Sequence, residues 1–141
     1  MKIDAIVNGI VIDHITAGKG MKLYHLLGLE ALNASVALIQ NVNSKKMGKK
    51  DIIKIDSDIS LNTDVLGYVD PGVTVSIIKN GVTVEKKSID LPEKLTDVIF
   101  CKNPRCITST EQELPHIFRL TNREKGTYRC IYCDSSAKKN I

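Results

Sequence analysis

Apolar and polar positions alternate in short runs along the first ninety residues, and the period changes from two to nearly four and back. Residues 3–7 are mostly apolar. The Asn8-Gly9 pair that follows is a hairpin signal, because a type I′ turn needs positive φ at both central residues. Residues 10–15 then read as the returning strand. Met21, Tyr24, Leu27 and Ala31 recur at helical spacing, with Leu23 and Leu26 widening the face, up to a stop at 33–35. Strands are expected over 36–39 and 52–55. A short helix is expected over 63–69, stopped by Asp70-Pro71-Gly72. A second hairpin, 73–78 with 82–84, turns at Asn80-Gly81. The order ββαββαββ predicts an α+β fold: an antiparallel sheet with two helices on one face, ferredoxin-like, leaving the other face or an edge free for a partner.

The pattern changes near Asp90-Leu91-Pro92-Glu93. No cysteine precedes this point and all four follow it, so the chain divides into domains at 1–91 and 92–141. The second has few core residues and is too small to bury much apolar surface unaided. Cys101-Lys102-Asn103-Pro104-Arg105-Cys106 is a C-x4-C, and Cys130-Ile131-Tyr132-Cys133 a C-x2-C, with 23 residues between the pairs. Each short spacing makes a knuckle that aims two thiolates at one centre, and two knuckles supply the four soft ligands of a tetrahedral structural zinc. Two disulfides or a redox C-x2-C are the alternatives. Disulfides suit a cytosolic chain poorly, and a redox motif leaves the other pair unexplained. Four cysteines leave no open position for water, so one zinc per chain would stabilise a small β-rich domain and not catalyse.

Composition narrows the function. The 141 residues are 43% hydrophobic and 26% charged, with a net charge of +4. No apolar run approaches the roughly 18 residues of a membrane span. Asp4 and Asn8-Gly9 interrupt the N-terminus too early for a secretory core, which places the chain in the cytoplasm. With no Trp, two Phe and four Tyr, stacking platforms for nucleic acid are scarce. Nucleophile-elbow, zincin and P-loop motifs are absent. Ala17-Gly18-Lys19-Gly20 lacks the leading glycine and the following Ser/Thr of a P-loop.

Lysines carry the remaining signal. Lys45, Lys46, Lys49 and Lys50 crowd one segment, Lys54 follows, and Lys79, Lys86 and Lys87 flank the second hairpin. Strand alternation puts Lys50, Ile52 and Lys54 on one face and Asp51, Ile53 and Ile55 on the other. Ammonium groups converging from two strands make a polyphosphate clamp, with Asp13-His14 near a base or ribose. A solvated lysine loop is the alternative. His25 and His116 receive no role.

Several segments together resemble the regulatory chain of aspartate carbamoyltransferase. They are Gly9-Ile10-Val11-Ile12-Asp13-His14-Ile15, Met47-Gly48-Lys49-Lys50-Asp51-Ile52-Ile53-Lys54-Ile55, Leu91-Pro92-Glu93 and the four cysteines. The resemblance implies a non-catalytic subunit of pyrimidine biosynthesis whose first domain binds CTP and UTP as inhibitors and ATP as activator. The matching effector positions are Asp4, Ala5, Ile6, Val11, Asp13, His14, Lys50, Ile52, Lys54, Ile78, Thr83 and Lys86. By this resemblance Lys54 and Lys86 contact phosphates, Asp13 and His14 lie near sugar and phosphate, and the backbone of 4–6 reads the base. It also implies a homodimer through the first domain and docking of the zinc domain on the catalytic chain, with Asn103 and Arg105 at contact positions. Gly81 stands where some members have a bulky aromatic, Ser76 replaces an Asn, and the segment before Ile3 is short. The rival class is a zinc-ribbon nucleic-acid-binding protein using Lys102, Arg105, Arg119, Arg123, Lys125 and Arg129.

Overall fold

The computed structural model describes residues 6–137. The chain divides between Asp90 and Leu91 into two compact units, each built on its own sheet.

The first sheet has five strands: β1 (Gly9–Thr16), β2 (Ser35–Ser44), β3 (Gly48–Asp56), β4 (Thr74–Lys79) and β5 (Val82–Ser88), in the order β2-β3-β1-β4-β5. Every neighbouring pair is antiparallel. Helix α1 (Gly20–Leu26) follows β1 and α2 (Thr63–Val69) follows β3. The first four strands and two helices form the ferredoxin-like βαββαβ unit, and β5 extends it by one hairpin. Ile10, Ile12 and Ile15 of β1, Ile53 and Ile55 of β3, and Val75 of β4 are buried together with Leu23, Leu29, Val65, Leu66 and Val69 from the helical side.

Two expected elements form as read. Asn62 caps α2, its side chain accepting from the Asp64 and Val65 N–H groups at 3.1 and 3.4 Å. Asn80 and Gly81 have φ of 53° and 76°, the double positive φ of a type I′ turn between β4 and β5. β5 runs on to Ser88.

The first hairpin is different. Residues 3–5 of its expected leading strand lie outside the described residues, and Ile6 and Val7 are not in a strand. Both edges of β1 are already taken by β3 and β4. Neither Asn8 nor Gly9 has positive φ. Instead, Asn8 Oδ1 accepts the Asn80 N–H at 3.1 Å and the Val7 carbonyl accepts the Gly81 N–H at 2.9 Å. Gly9 is glycine because a Cβ there would meet the Ile55 carbonyl oxygen at 2.1 Å. Among the described residues the order in the first unit is therefore βαββαββ.

Helix α1 is shorter than its apolar pattern and rotated from the expected stripe. Gly28, with φ of 67°, ends it, and a 3-10 turn carries residues 29–31. Gly20 and Leu23 face inward, while Met21 and Leu26 are 44% and 52% exposed. The rotation is set by Gly20. Its N–H donates to Asp51 Oδ2 at 2.9 Å, and a Cβ would lie 2.7 Å from that oxygen.

The second unit holds β6 (Lys94–Thr96), β7 (Ile117–Asn122) and β8 (Thr127–Cys130), antiparallel in that order. Leu95, Phe118, Tyr128, Cys106 and Cys130 are buried, and the Tyr128 hydroxyl donates to the Pro92 carbonyl. Among the described residues no helix is long and apolar enough to cross a membrane.

Candidate metal centre and ligand face

The four cysteines converge. Their sulfur atoms all lie within 4.8 Å of one another, with Cys101 3.6 Å from Cys133 and Cys106 3.8 Å from Cys130. A tetrahedron with metal–sulfur distances of about 2.3 Å has edges of about 3.8 Å. A disulfide needs about 2.05 Å, and all four cysteines are free. The donor set is thus that of a closed, soft-metal site. The closest sulfur contacts cross between the knuckles, so one cation would join the 101–106 loop to the end of β8.

Local hydrogen bonds build each knuckle. The Asn103 carbonyl accepts the Cys106 N–H at 3.0 Å, and Asn103 Oδ1 accepts the Arg105 N–H at 3.0 Å. Asn103 Nδ2 also donates to Ser135 Oγ at 3.2 Å, tying the first knuckle to the second. The Cys130 carbonyl accepts the Asp134 N–H at 2.9 Å. His116, to which the sequence assigned nothing, accepts the Cys101 N–H on Nδ1 at 3.1 Å and meets Phe100 edge to face. The Thr108 hydroxyl donates to the Cys106 sulfur at 3.1 Å.

These bonds divide the thiols. Burial pushes Cys101 up to about 12 and raises Cys130. The Thr108 hydroxyl lowers Cys106, and the Ser135 side chain brings Cys133 down to about 6. In each close sulfur pair the two shifts therefore run in opposite directions. A metal bound here would be held by Cys101, Cys106, Cys130 and Cys133, and its binding would release the thiol protons.

In the first unit the face away from the helices gathers the other candidates. Lys54 stands opposite Val11, Val11 opposite Ser76, and Ser76 opposite Lys86. Lys54 and Lys86 thus flank one cross-strand row, three strand spacings or about 14 Å apart at the backbone. Ile52, Ile78 and Thr83 occupy neighbouring positions on that face. Ile6 is half-buried just before Gly9. Asp4 and Ala5 lie outside the described residues.

A bulge brings Asp13 and His14 to this region. Between Ile12, opposite Ile53, and Ile15, opposite Asp51, two residues of β1 face one of β3. His14 takes φ of 60°. Left-handed backbone at a non-glycine costs about 1–2 kcal/mol, while burying Ile15, fully buried here, returns about 1.5–3 kcal/mol. Regular alternation would have turned His14 inward and Ile15 outward. His14 Nδ1 lies 2.9 Å from Thr74 Oγ1. Asp13 Oδ1 is 2.9 Å from Lys50 Nζ and accepts the His14 N–H at 2.6 Å. Burial works against the Asp13 charge, but Lys50, the His14 N–H and the nearby positive charge outweigh it and hold the carboxyl below its usual range.

Asp51, expected on the core face, is fully buried. Its carboxylate accepts N–H groups from Gly18, Gly20 and Asn41 at 3.1, 2.9 and 3.0 Å. Asn41 belongs to a second bulge, in β2. One carboxylate thus holds the β1–α1 turn and the β2 bulge beside Lys50 and Ile52. The lysine run splits between the two readings. Lys45 and Lys46 sit in the β2–β3 turn, and exposed Lys49 donates to Asn43 at 2.6 Å, whereas Lys50 and Lys54 lie on the sheet face.

A four-cysteine cluster in one unit and an α+β sheet with a basic open face in the other define the class as a two-domain protein with a candidate metal centre. Comparison with known proteins narrows the class. Residues 1–90 match the family described as aspartate carbamoyltransferase regulatory chain, allosteric domain, and residues 93–141 match its metal binding domain. Relatives named aspartate carbamoyltransferase regulatory chain include one from Clostridium botulinum strain Hall, 51% identical over 95% of this chain and 92% of its own. Another from Clostridium tetani is 50% identical over 98% and 96%, and one from Bifidobacterium longum is 44% identical over 98% and 99%. The chain belongs to the aspartate carbamoyltransferase regulatory chain family, and it is of the regulatory and not the catalytic kind. That membership, and not the cysteine spacing, separates it from the zinc-ribbon alternative.

Proposed function

We propose that the first unit binds nucleotide effectors (CTP, UTP and ATP) on its open sheet face and that the second unit, closed by one zinc ion, docks on the catalytic chain in the cytoplasm. The observation that carries this reading is the row Lys54–Val11–Ser76–Lys86. Two lysines flanking Val11 and Ser76 on one cross-strand row support a site for a polyphosphate and its nucleoside. Lys54 and Lys86 take phosphates. Asp13 and His14, turned out by the bulge, lie near sugar and phosphate, with Lys50 and Ile52 beside them. Asp4, Ala5 and Ile6 read the base, and Val11, Ile78 and Thr83 complete the surface.

Docking uses the first knuckle, at Asn103 and the exposed Arg105. A groove of about 690 Å³ beside it, lined by Val98, Ile99, Phe100, Lys102 and Asn103 among others, and exposed Phe100 and Ile107 suit a protein partner. The zinc supplies the tie between the knuckles. The first units pair as a homodimer and so link catalytic chains. An effector shifts such an assembly only as far as it binds two quaternary states unequally. Lys86→Ala is expected to weaken CTP binding about tenfold or more, the scale of one charged contact, with metal content unchanged. Calorimetric titration giving the wild-type affinity would defeat the assignment.

A further inference from the structure

The turn between β4 and β5 leaves two backbone donors that the sheet does not use. The ladder closes at Lys79 opposite Val82. In such a two-residue turn the N–H groups of the central residues, here Asn80 and Gly81, point outward, where water ordinarily takes them. Both are taken instead by one short segment. Asn8 Oδ1 accepts the Asn80 N–H at 3.1 Å, and the Val7 carbonyl accepts the Gly81 N–H at 2.9 Å. The register of β1 on β4, with Gly9 opposite Ile78, runs on past the strand end and brings residues 7 and 8 alongside the turn.

The core gains little from this latch. Val7 and Asn8 are exposed, Val7 by 56%, and β1 is already paired along both edges. Asn-Gly forms a type I′ turn by its own backbone preference. What the latch joins is two parts of the ligand face. On one side is Ile6, whose side chain lies so close to Gly9 that a Cβ there would be 2.8 Å from Ile6 Cγ2. On the other are Ile78 and Thr83, opposite one another and one pair in from the turn. The phosphate lysines are further off. Ser76, in the row between Lys54 and Lys86, is four residues before Asn80, about 13 Å by strand rise.

We infer that Asn8 is a positioning residue for the nucleobase: it holds the base-reading segment against the β4–β5 hairpin and leaves the phosphate contacts alone. The inference rests on the nucleotide reading and adds a residue that touches no ligand itself.

The test is calorimetric titration of the full, metal-loaded chain with CTP and, separately, with inorganic tripolyphosphate, for the wild type, Asn8→Ala and Asn8→Asp. Amide hydrogen exchange at Asn80 and Gly81 is recorded on the same samples. Asn8→Ala is expected to weaken CTP about fivefold, the scale of one neutral hydrogen bond, while tripolyphosphate keeps its affinity to within about twofold. Exchange at Asn80 is expected to quicken. Asn8→Asp keeps an acceptor oxygen and is expected to restore the ratio of the two affinities. A general loosening of the site would weaken both ligands alike, and that outcome overturns the inference. Wild-type CTP affinity in Asn8→Ala overturns it too, as does an Asn8→Asp variant that behaves like Asn8→Ala. Should tripolyphosphate bind too weakly to titrate, exchange decides: slower exchange at Asn80 when CTP is added to the wild type supports the latch, and unchanged exchange overturns it. A wild-type chain that binds neither CTP nor tripolyphosphate overturns the nucleotide reading and the latch with it, whereas a wild type that binds CTP leaves the latch to be judged alone.

Discussion

The two units solve the problem of a small core in opposite ways. In the first, Ile12, Ile15, Leu23, Ile53, Ile55, Leu66 and Val73 are fully buried between a sheet and two helices, and hydrophobic burial is the main stabilising term. In the second, among the described residues, Leu91, Leu95, Phe118 and Tyr128 stand almost alone beside Cys106 and Cys130, which belong to the cysteine cluster of the candidate metal centre. Four such side chains contribute roughly 1.5–3 kcal/mol each. A structural zinc brings about 10 kcal/mol or more in the smallest metal-folded peptides. Polar devices therefore mean different things in the two units. In the first they shape a surface over a core that already exists, and in the second they hold the core itself.

The largest effect that follows is confined to the second unit. Cys106→Ser is expected to abolish stoichiometric metal binding and the cooperative unfolding of that unit, while the first unit keeps its own transition. Metal analysis and calorimetry of the full chain check this, and a metal-free variant that keeps both transitions would erase the contrast. Next is the polar cornerstone of the first unit. Asp51→Ala leaves the N–H groups of Gly18, Gly20 and Asn41 without their acceptor. At about 1–3 kcal/mol for each group left unsatisfied, a loss of about 3 kcal/mol or more is expected in urea unfolding, with metal content unaltered. A loss below about 1 kcal/mol would mean that water replaces the carboxylate.

Smaller effects sharpen the comparison. Thr108→Val removes the hydroxyl that holds Cys106 toward its thiolate form. Zinc affinity is expected to fall about 10-fold, the lower end for partners of metal ligands, in a competition titration with a chromophoric chelator. An unchanged affinity would make Thr108 a packing residue only. The smallest effect concerns Asp13. Because its carboxyl is held below its usual range, it contributes stability above the unfolded value near 3.9 and loses it as pH falls through the lower folded value. Asp13→Asn is thus expected to lower the melting temperature slightly at neutral pH, with the two curves converging in acid. A constant difference down to pH 2 would contradict the Lys50 pairing.

Sequence legibility followed the range of the interactions. Helix α2, the Asn80-Gly81 turn and the cysteine knuckles are written in adjacent residues, and each formed as read. Alternation in β3 correctly set Lys50, Ile52 and Lys54 against Asp51, Ile53 and Ile55. The misreadings are all long-range. Gly9 reads as a turn glycine until the Ile55 carbonyl is brought against it. The stripe of α1 is rotated because Gly20 packs on Asp51, thirty-one residues away. The β1 bulge was hinted at by Ile15, an apolar residue one position out of phase with Ile10 and Ile12. The part played by His116 at the metal centre had no local signal, since it reaches Cys101 from fifteen residues away, whereas Thr108 and Ser135 each stand two residues after the cysteine they touch and received no role from the spacing alone.

The most direct test of the account is the amide NMR spectrum of the isotope-labelled full chain, recorded with metal, then with a strong chelator, then with CTP added to the chelated sample. The account predicts that chelation collapses the resonances of 91–141, that those of the first unit stay dispersed, and that CTP still shifts residues around Val11, Lys54 and Lys86. Collapse of the whole spectrum, or CTP shifts confined to the second unit, would contradict it.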